Sequence, residues 1–225
     1  MTTRNRNSKV NRAWLHDHIN DPYVKLAQKE GYRARAAYKL KEIDETLNLI
    51  KPGHLVVDLG SAPGAWSQYV RRKFYAARAA GSSDLPGEIV SLDMLPMEVI
   101  EGVRFVQGDF RELEVLARLR AALSGRRVDI VISDMAPNLS GVADADASRM
   151  ADLVELAIEF AIENLSPHGA LVCKAFHGGG YSQLALRFKS SFRTFKAVKP
   201  KASRGKSAET YLVGIGPKVP GGVSE

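Results

Sequence analysis

Cysteine is nearly missing. Cys173 is the only one in 225 residues, which excludes an internal disulfide and leaves the compartment open. The five histidines are scattered and have no thiol company, so nothing has the spacing of a metal site and no metal is expected. No apolar run approaches the roughly 20 residues that cross a bilayer. Residues 1–12 are polar and basic, unlike the start of a secretory signal. These absences point to a soluble, cytoplasmic protein with no membrane association. Hydrophobic residues make up 45% of the chain, enough for one buried core.

Acidic residues are scarce at both ends. Residues 1–41 hold ten Lys and Arg against three acids, residues 42–163 twelve against twenty, and residues 164–225 ten against two. Between Arg187 and Lys206 there are eight basic residues and no acid, with Phe188, Phe192 and Phe195 interleaved. If both ends fold onto one face, that face suits a polyanion such as a phosphate backbone. The plainer reading is that these charges keep the termini soluble. The phenylalanines read as core rather than as base-stacking rings.

The apolar spacing predicts a βα alternation behind a helical preface. Residues 21–29 and 35–49 read as helices, the second with Ala36, Ala37, Leu40, Ile43 and Leu47 on one side. Strands are expected at 54–59, 89–93, 103–109, 128–133, 169–176 and 210–215, and helices at 67–74, 150–165 and 181–192. Such alternation predicts an α/β fold with a mostly parallel sheet and helices on both faces. The strands after Phe192 form a hairpin that inserts one antiparallel strand. Residues 1–20 read as a flexible basic arm, 21–217 as one domain with a preface over 21–50, 76–87 as an inserted loop, and 218–225 as a disordered tail. Residues 138–148 read as a lid over the site.

One segment outweighs the rest. Asp58-Leu59-Gly60-Ser61-Ala62-Pro63-Gly64-Ala65-Trp66 joins the first apolar strand to an amphipathic helix. Its small residues let the backbone approach a ligand at the strand's carboxyl end. The G-x-G-x-x-G cradle for a pyrophosphate is lacking, since Pro63 interrupts it and only two glycines remain. A nicotinamide dehydrogenase is therefore disfavoured, and S-adenosylmethionine, a ligand without phosphates, fits better. Asp58, Asp93, Asp109 and Asp134 end four successive apolar runs. Any one of them reads as a cap or turn residue, but the four together read as a site. Lys174 stands inside the apolar run Leu171 to Phe176, where an unpaired ammonium is costly, and Asp134 is its natural partner.

These motifs, with Gly31-Tyr32-Arg33-Ala34-Arg35, Asp93-Met94-Leu95-Pro96-Met97, Gln107-Gly108-Asp109-Phe110, Ser133-Asp134-Met135-Ala136-Pro137-Asn138 and Ser203-Arg204-Gly205-Lys206-Ser207-Ala208-Glu209, resemble the FtsJ family of ribose 2′-O-methyltransferases from about Trp14 to Gly216. Ser61 and Ala65 depart from that family's usual Ala and Gly, and the loop at 76–87 is longer. The resemblance implies a Rossmann-like methyltransferase fold with a seven-stranded sheet and S-adenosylmethionine as donor. The implied substrate is a uridine ribose in large-subunit 23S ribosomal RNA, within the assembled 50S subunit and with no obligate protein partner. It also implies a catalytic set of Lys39, Asp134, Lys174 and Glu209. A ribose hydroxyl is a poor nucleophile and needs a positioned base and in-line approach. Lys174 is the proposed base, with a charged, alkoxide-stabilising Lys174 as the alternative. Asp134 orients it, and Lys39 and Glu209 position and balance charge. Gly64, Trp66, Asp93, Asp109 and Asp134 are expected at the cofactor, and Arg33, Arg35, Arg204 and Lys206 at RNA. Transfer RNA or a messenger cap as substrate, and a non-catalytic RNA-binding protein on the same fold, remain the other readings.

Overall fold

Asp21 and Pro22 start a helix of the computed structural model, which describes residues 19–78, 86–138, 140–205 and 207–218. The Asp21 carboxylate accepts from Tyr23 N at 2.9 Å and Pro22 stands where no amide donor is needed, so α1 runs Pro22–Glu30 until Gly31 turns left-handed. The second helix, α2 (Ala36–Leu47), ends at Asn48, also left-handed. The expected arm lies outside the described residues up to position 18, as do 79–85 of the expected insertion and the expected tail after Lys218.

Beyond the preface come β1 (Leu55–Leu59), α3 (Ala65–Ala76), β2 (Glu88–Asp93), β3 (Val103–Gln107), α4 (Leu113–Ala122), β4 (Val128–Ser133), α5 (Ala143–Asn164), β5 (Leu165–Phe176), α6 (Tyr181–Ser191), β6 (Phe192–Val198) and β7 (Glu209–Pro217). They form one seven-stranded sheet in the order β3-β2-β1-β4-β5-β7-β6. Strands β1 to β5 pair in parallel, while β7 is antiparallel to both β5 and β6. The chain steps from β1 outward to β3 and then returns to the other side of β1 with β4. That reversal opens a crevice at the carboxyl ends of β1 and β4.

Both sheet faces are covered, so the central strands are apolar on both sides; all five residues of β1 are buried. Leu40 and Ile43 of α2 and Trp66, Tyr69, Val70 and Phe74 of α3 pack on one face with Val56, Ile132 and Val213. Residues of α4, α5 and α6, among them Leu119, Val154 and Phe188, pack on the other with Val57, Leu171 and Leu212. The structure departs from the pattern at 138–148: α5 already starts at Ala143, and Asp146 accepts from the amides of Ser140 and Gly141. Asp146 supplies the acceptor those turn amides need, so much of the expected lid is the first turn of a helix. Among the described residues no helix is long and apolar enough to cross a membrane.

A buried carboxylate joins preface to sheet layer. Asp44 is 1% exposed and accepts from Ile50 N at 2.8 Å, Tyr69 Oη at 2.7 Å and Lys73 Nζ at 2.5 Å. It ties the end of α2 to α3 and to the chain entering β1. Asp44→Ala is expected to destabilise the protein by about 3 kcal/mol or more, because two buried donors lose their only acceptor. Urea unfolding measures this, and a loss below about 1 kcal/mol would show that water replaces the carboxylate.

Candidate active site

Two glycines of the loop after β1 make the crevice tight. Gly60 has φ 74, and a Cβ there would stand 2.7 Å from Met135 Cγ and 2.9 Å from its Cα, so the turn after β1 lies hard against the residue after Asp134. Gly64, at φ 108, opens α3 where a Cβ would meet Ile100, Arg33 and Met97. The loop between them is held from below. Asp58 is fully buried and accepts from Ser67 Oγ at 2.7 Å, and Asp93 accepts from Ala62 N at 2.8 Å and Leu95 N at 2.8 Å. Asp58 Oδ1 and Ser61 Oγ find no hydrogen-bond partner among the described residues. Burial pushes the Asp58 carboxyl up to about 7, and the nearby Asp134 and Asp93 charges push the same way.

Lys39, Asp134, Lys174 and Glu209 meet at the edge where β4, β5 and β7 adjoin α2. Lys174 Nζ donates to Asp134 O at 2.5 Å and lies 3.2 Å from Asp134 Oδ1. Lys39 Nζ lies 2.8 Å from both oxygens of Glu209. Each lysine thus has its own carboxylate. The register explains the convergence: Lys174 faces Tyr211 across the β5–β7 ladder and Phe176 faces Glu209, so the antiparallel strand brings its first residues beside the end of β5. Lys174 is 6% exposed and the Asp134 side chain 20%, which leaves the carboxylate nearer to solvent.

Two further groups in this cluster lie within the segment 203–211 that resembles the family but have no role assigned by that resemblance. Tyr211 is fully buried, packs on Trp66 with centroids 5.7 Å apart, and donates to Asp134 Oδ1 at 2.8 Å. Burial holds its hydroxyl far above the ordinary range, and the Asp134 and Glu209 charges add to this, so it serves as a fixed donor. Ser203 Oγ donates to Glu209 Oε1 at 2.8 Å. The signal available for Tyr211 was its place two residues after Glu209, on the same face of a strand.

The remaining candidates lie around this centre. Trp66 is 2% exposed, with Nε1 donating to Ala36 O at 2.8 Å, so its ring lies under the loop. Asp109, at the end of β3, pairs with Arg111 at 2.6 Å, and those hydrogen bonds hold its carboxyl below the usual range. Arg33 donates to Pro63 O at 2.9 Å and Glu98 O at 2.8 Å, bracing the glycine loop. Arg35 donates to the Asp21 carboxylate and to Ala202 O; burial, then the charge of Arg204, pulls its guanidinium below its ordinary value. Arg204 is exposed, 3.6 Å from Asp21 Oδ2. Lys206 lies outside the described residues. Cys173 is buried and burial pushes its thiol up to about 12, which leaves it no nucleophilic use. Among the described residues no three His, Cys, Asp or Glu side chains gather as metal ligands.

Comparison with known proteins follows the same residues. The model of the family described as FtsJ-like methyltransferase matches residues 32–217. A ribosomal RNA large subunit methyltransferase E of Methylibium petroleiphilum is 65% identical over 222 residues, covering 97% of this chain and 99% of that protein. One of the same name from Acidovorax sp. is 66% identical over 218 residues, with 97% and 99% covered. A Plasmodium falciparum protein, whose crystal structure is described as that of a possible ribosomal RNA methyltransferase, superposes with a TM-score of 0.72 at 27% identity, covering 83% of this chain and 98% of that one. The sheet order and both helical layers are thus those of a Rossmann-like methyltransferase.

A raised Asp58 stabilises the fold in its neutral form. That contribution is complete below the ordinary value of 3.8 and is lost as pH rises through about 7. Asp58→Asn, which cannot ionise, is expected to gain on the wild type between those limits, by at most about 1.4 kcal/mol per pH unit. Melting temperatures of the two proteins from pH 4 to 8 check this; parallel curves would mean that Asp58 titrates as an ordinary carboxylate.

Proposed function

The chain belongs to the FtsJ-like methyltransferases, and from that membership we propose that it methylates the 2′-hydroxyl of a uridine ribose in 23S ribosomal RNA of the large (50S) subunit, with S-adenosylmethionine as donor. The observation that carries this reading is the meeting of two lysine–carboxylate pairs beside a glycine loop at the sheet's reversal point. The names of the two bacterial relatives support the choice of substrate.

The cradle suits such a donor. Gly60 and Gly64 let backbone approach closely, and the orphaned Ser61 Oγ offers a polar contact. Asp134 faces the same crevice, while Asp93 and Asp109 stand on the flank formed by β2 and β3, where an acid meets ribose hydroxyls. Gly64 and Trp66 shape the floor under the methionine portion. When bound, S-adenosylmethionine supplies a methyl group on a positively charged sulfur.

The chain's own groups then position and deprotonate the acceptor. With the donor bound, Lys174 Nζ as the neutral amine would take the 2′-hydroxyl proton while the donor supplies the methyl group, and Asp134, itself held by Tyr211, keeps that nitrogen in place. Lys39 and Glu209 orient the ribose and balance charge. One observation favours the second role for Lys174: both of its partners are acceptors, which suits an ammonium that stabilises the developing alkoxide. Arg204, exposed beside this edge, extends it towards the RNA backbone, and Lys206, two positions on in the sequence, is proposed as a second phosphate contact. Arg33 and Arg35 brace loop and preface, so their loss is expected to disturb cofactor and RNA together.

Two measurements test this. With labelled donor and large subunits that lack the modification, Lys174→Ala is expected to lower kcat at least about 100-fold with cofactor binding retained. Lys174→Arg keeps the charge but gives up no proton at neutral pH: inactivity supports the base, and substantial activity assigns the electrostatic role. Transfer to transfer RNA or caps instead would move the substrate. Second, Arg204→Ala and Lys206→Ala are each expected to reduce the slope of log K against log salt by about 0.7 to 0.9. An unchanged slope returns them to a solubility role.

A further inference from the structure

The end of β5 carries an aromatic pair that neither the lysine–carboxylate cluster nor the glycine loop uses. His177 and Tyr181 stack with centroids 4.1 Å apart and planes 32° from parallel. His177 is exposed, whereas Tyr181 is half-buried at the start of α6 and packs against the core beneath it. One side of the stack is therefore anchored and the other faces water.

The pair is held in register with the active centre. His177 N donates to Ala208 O at 2.7 Å, so the backbone that carries the imidazole is tied to the residue before Glu209. Lys174 lies three residues back along β5, about 10 Å at roughly 3.3 Å per residue, and its side chain leaves the opposite face of the sheet, so the pair flanks the active centre around the strand's end. The chain between the two rings is Gly178-Gly179-Gly180, with nothing within 4 Å of a Cβ built at Gly178 or Gly180. Among the described residues only Ala147 Cβ, 4.0 Å from a Cβ built at Gly179, comes close to these glycines.

The strand order says which molecule arrives here. The acids of β2 and β3 lie on one side of the β1/β4 crevice, and β5 and β7 lie on the other. A cofactor whose adenosine turns towards Asp93 and Asp109 points away from His177, so the methyl acceptor occupies the β5–β7 side. Splayed RNA bases stack on Tyr and His rings, a contact that every base can make. Resting on the functional reading above, we infer that the exposed face of His177, backed by Tyr181, is a stacking platform for a nucleobase adjoining the ribose that receives the methyl group.

The test is a titration of unmodified large subunits at saturating labelled donor, with wild type, His177→Ala and His177→Phe. His177→Ala is expected to raise the KM for subunits about tenfold, the loss of one base stack, with kcat and the cofactor Kd little changed. His177→Phe is expected to restore a near wild-type KM, because the ring and not its nitrogens makes the contact. A wild-type KM in His177→Ala overturns the platform and leaves methyl transfer standing. His177→Phe as impaired as His177→Ala also overturns it, in favour of a hydrogen-bonding imidazole. Wild type that binds cofactor yet methylates no ribosomal RNA brings down the functional reading and the platform with it.

Discussion

An ammonium in a nearly dry strand must have a carboxylate beside it, and Lys174 depends on that condition. At 6% exposure it cannot rely on water, so Asp134 has to sit at the end of the neighbouring strand with its oxygens turned towards β5. Tyr211 helps to set that orientation by donating to the same Asp134 oxygen that Lys174 approaches, and Tyr211 is in place only because β7 runs antiparallel beside β5. The same strand opens with Glu209, the partner of Lys39. One insertion in the sheet therefore assembles both pairs. Removing any member leaves a buried group without its counterpart.

The preface belongs to the same machinery. Lys39 rides on α2, and α2 is fastened at both ends to distant parts of the chain. Asp44 reaches Tyr69 and Lys73 on α3. Glu42 accepts from the amides of Lys201 and Ala202, and from Tyr23 Oη at 3.0 Å. Arg35 adds its bonds to Asp21 and Ala202 O. The turn that delivers Ser203 and Glu209 is thus moulded on the helix that delivers Lys39. A surface extension with few apolar contacts would have left Lys39 too mobile to hold a substrate within reacting distance.

Several arginines show why charge in a sequence is a poor guide to what a surface touches. Arg33 and Arg35 stand in a basic segment, yet their guanidinium groups are largely used inside the protein, on Pro63 O and Glu98 O in one case and on Asp21 and Ala202 O in the other. A guanidinium presents five donors in a fixed fork, so it serves well as a brace between loops that would otherwise expose carbonyls. Arg204 remains exposed beside them.

The sequence alone determined most of the order of strands and helices, though not the helix α4 over 113–122 or the bounds of β6, together with the glycine loop after β1 and the oddity of Lys174, because each rests on local periodicity or on a single costly residue. A short continuous apolar run marks β1 and β4 without reference to anything distant, and a lysine between Cys173 and Ala175 demands a partner whatever the fold. The start of α5 at Ala143 was not legible, since its first turn is polar and is stabilised through Asp146 and the turn before it. Only the tertiary structure decided that Lys39 pairs with Glu209 and not with Asp134, that Trp66 lies beneath the loop, and that Tyr211 supports Asp134. Those choices depend on the β5–β7 register, which joins residues some 40 positions apart, and a pairing across that distance leaves no periodic trace in the chain.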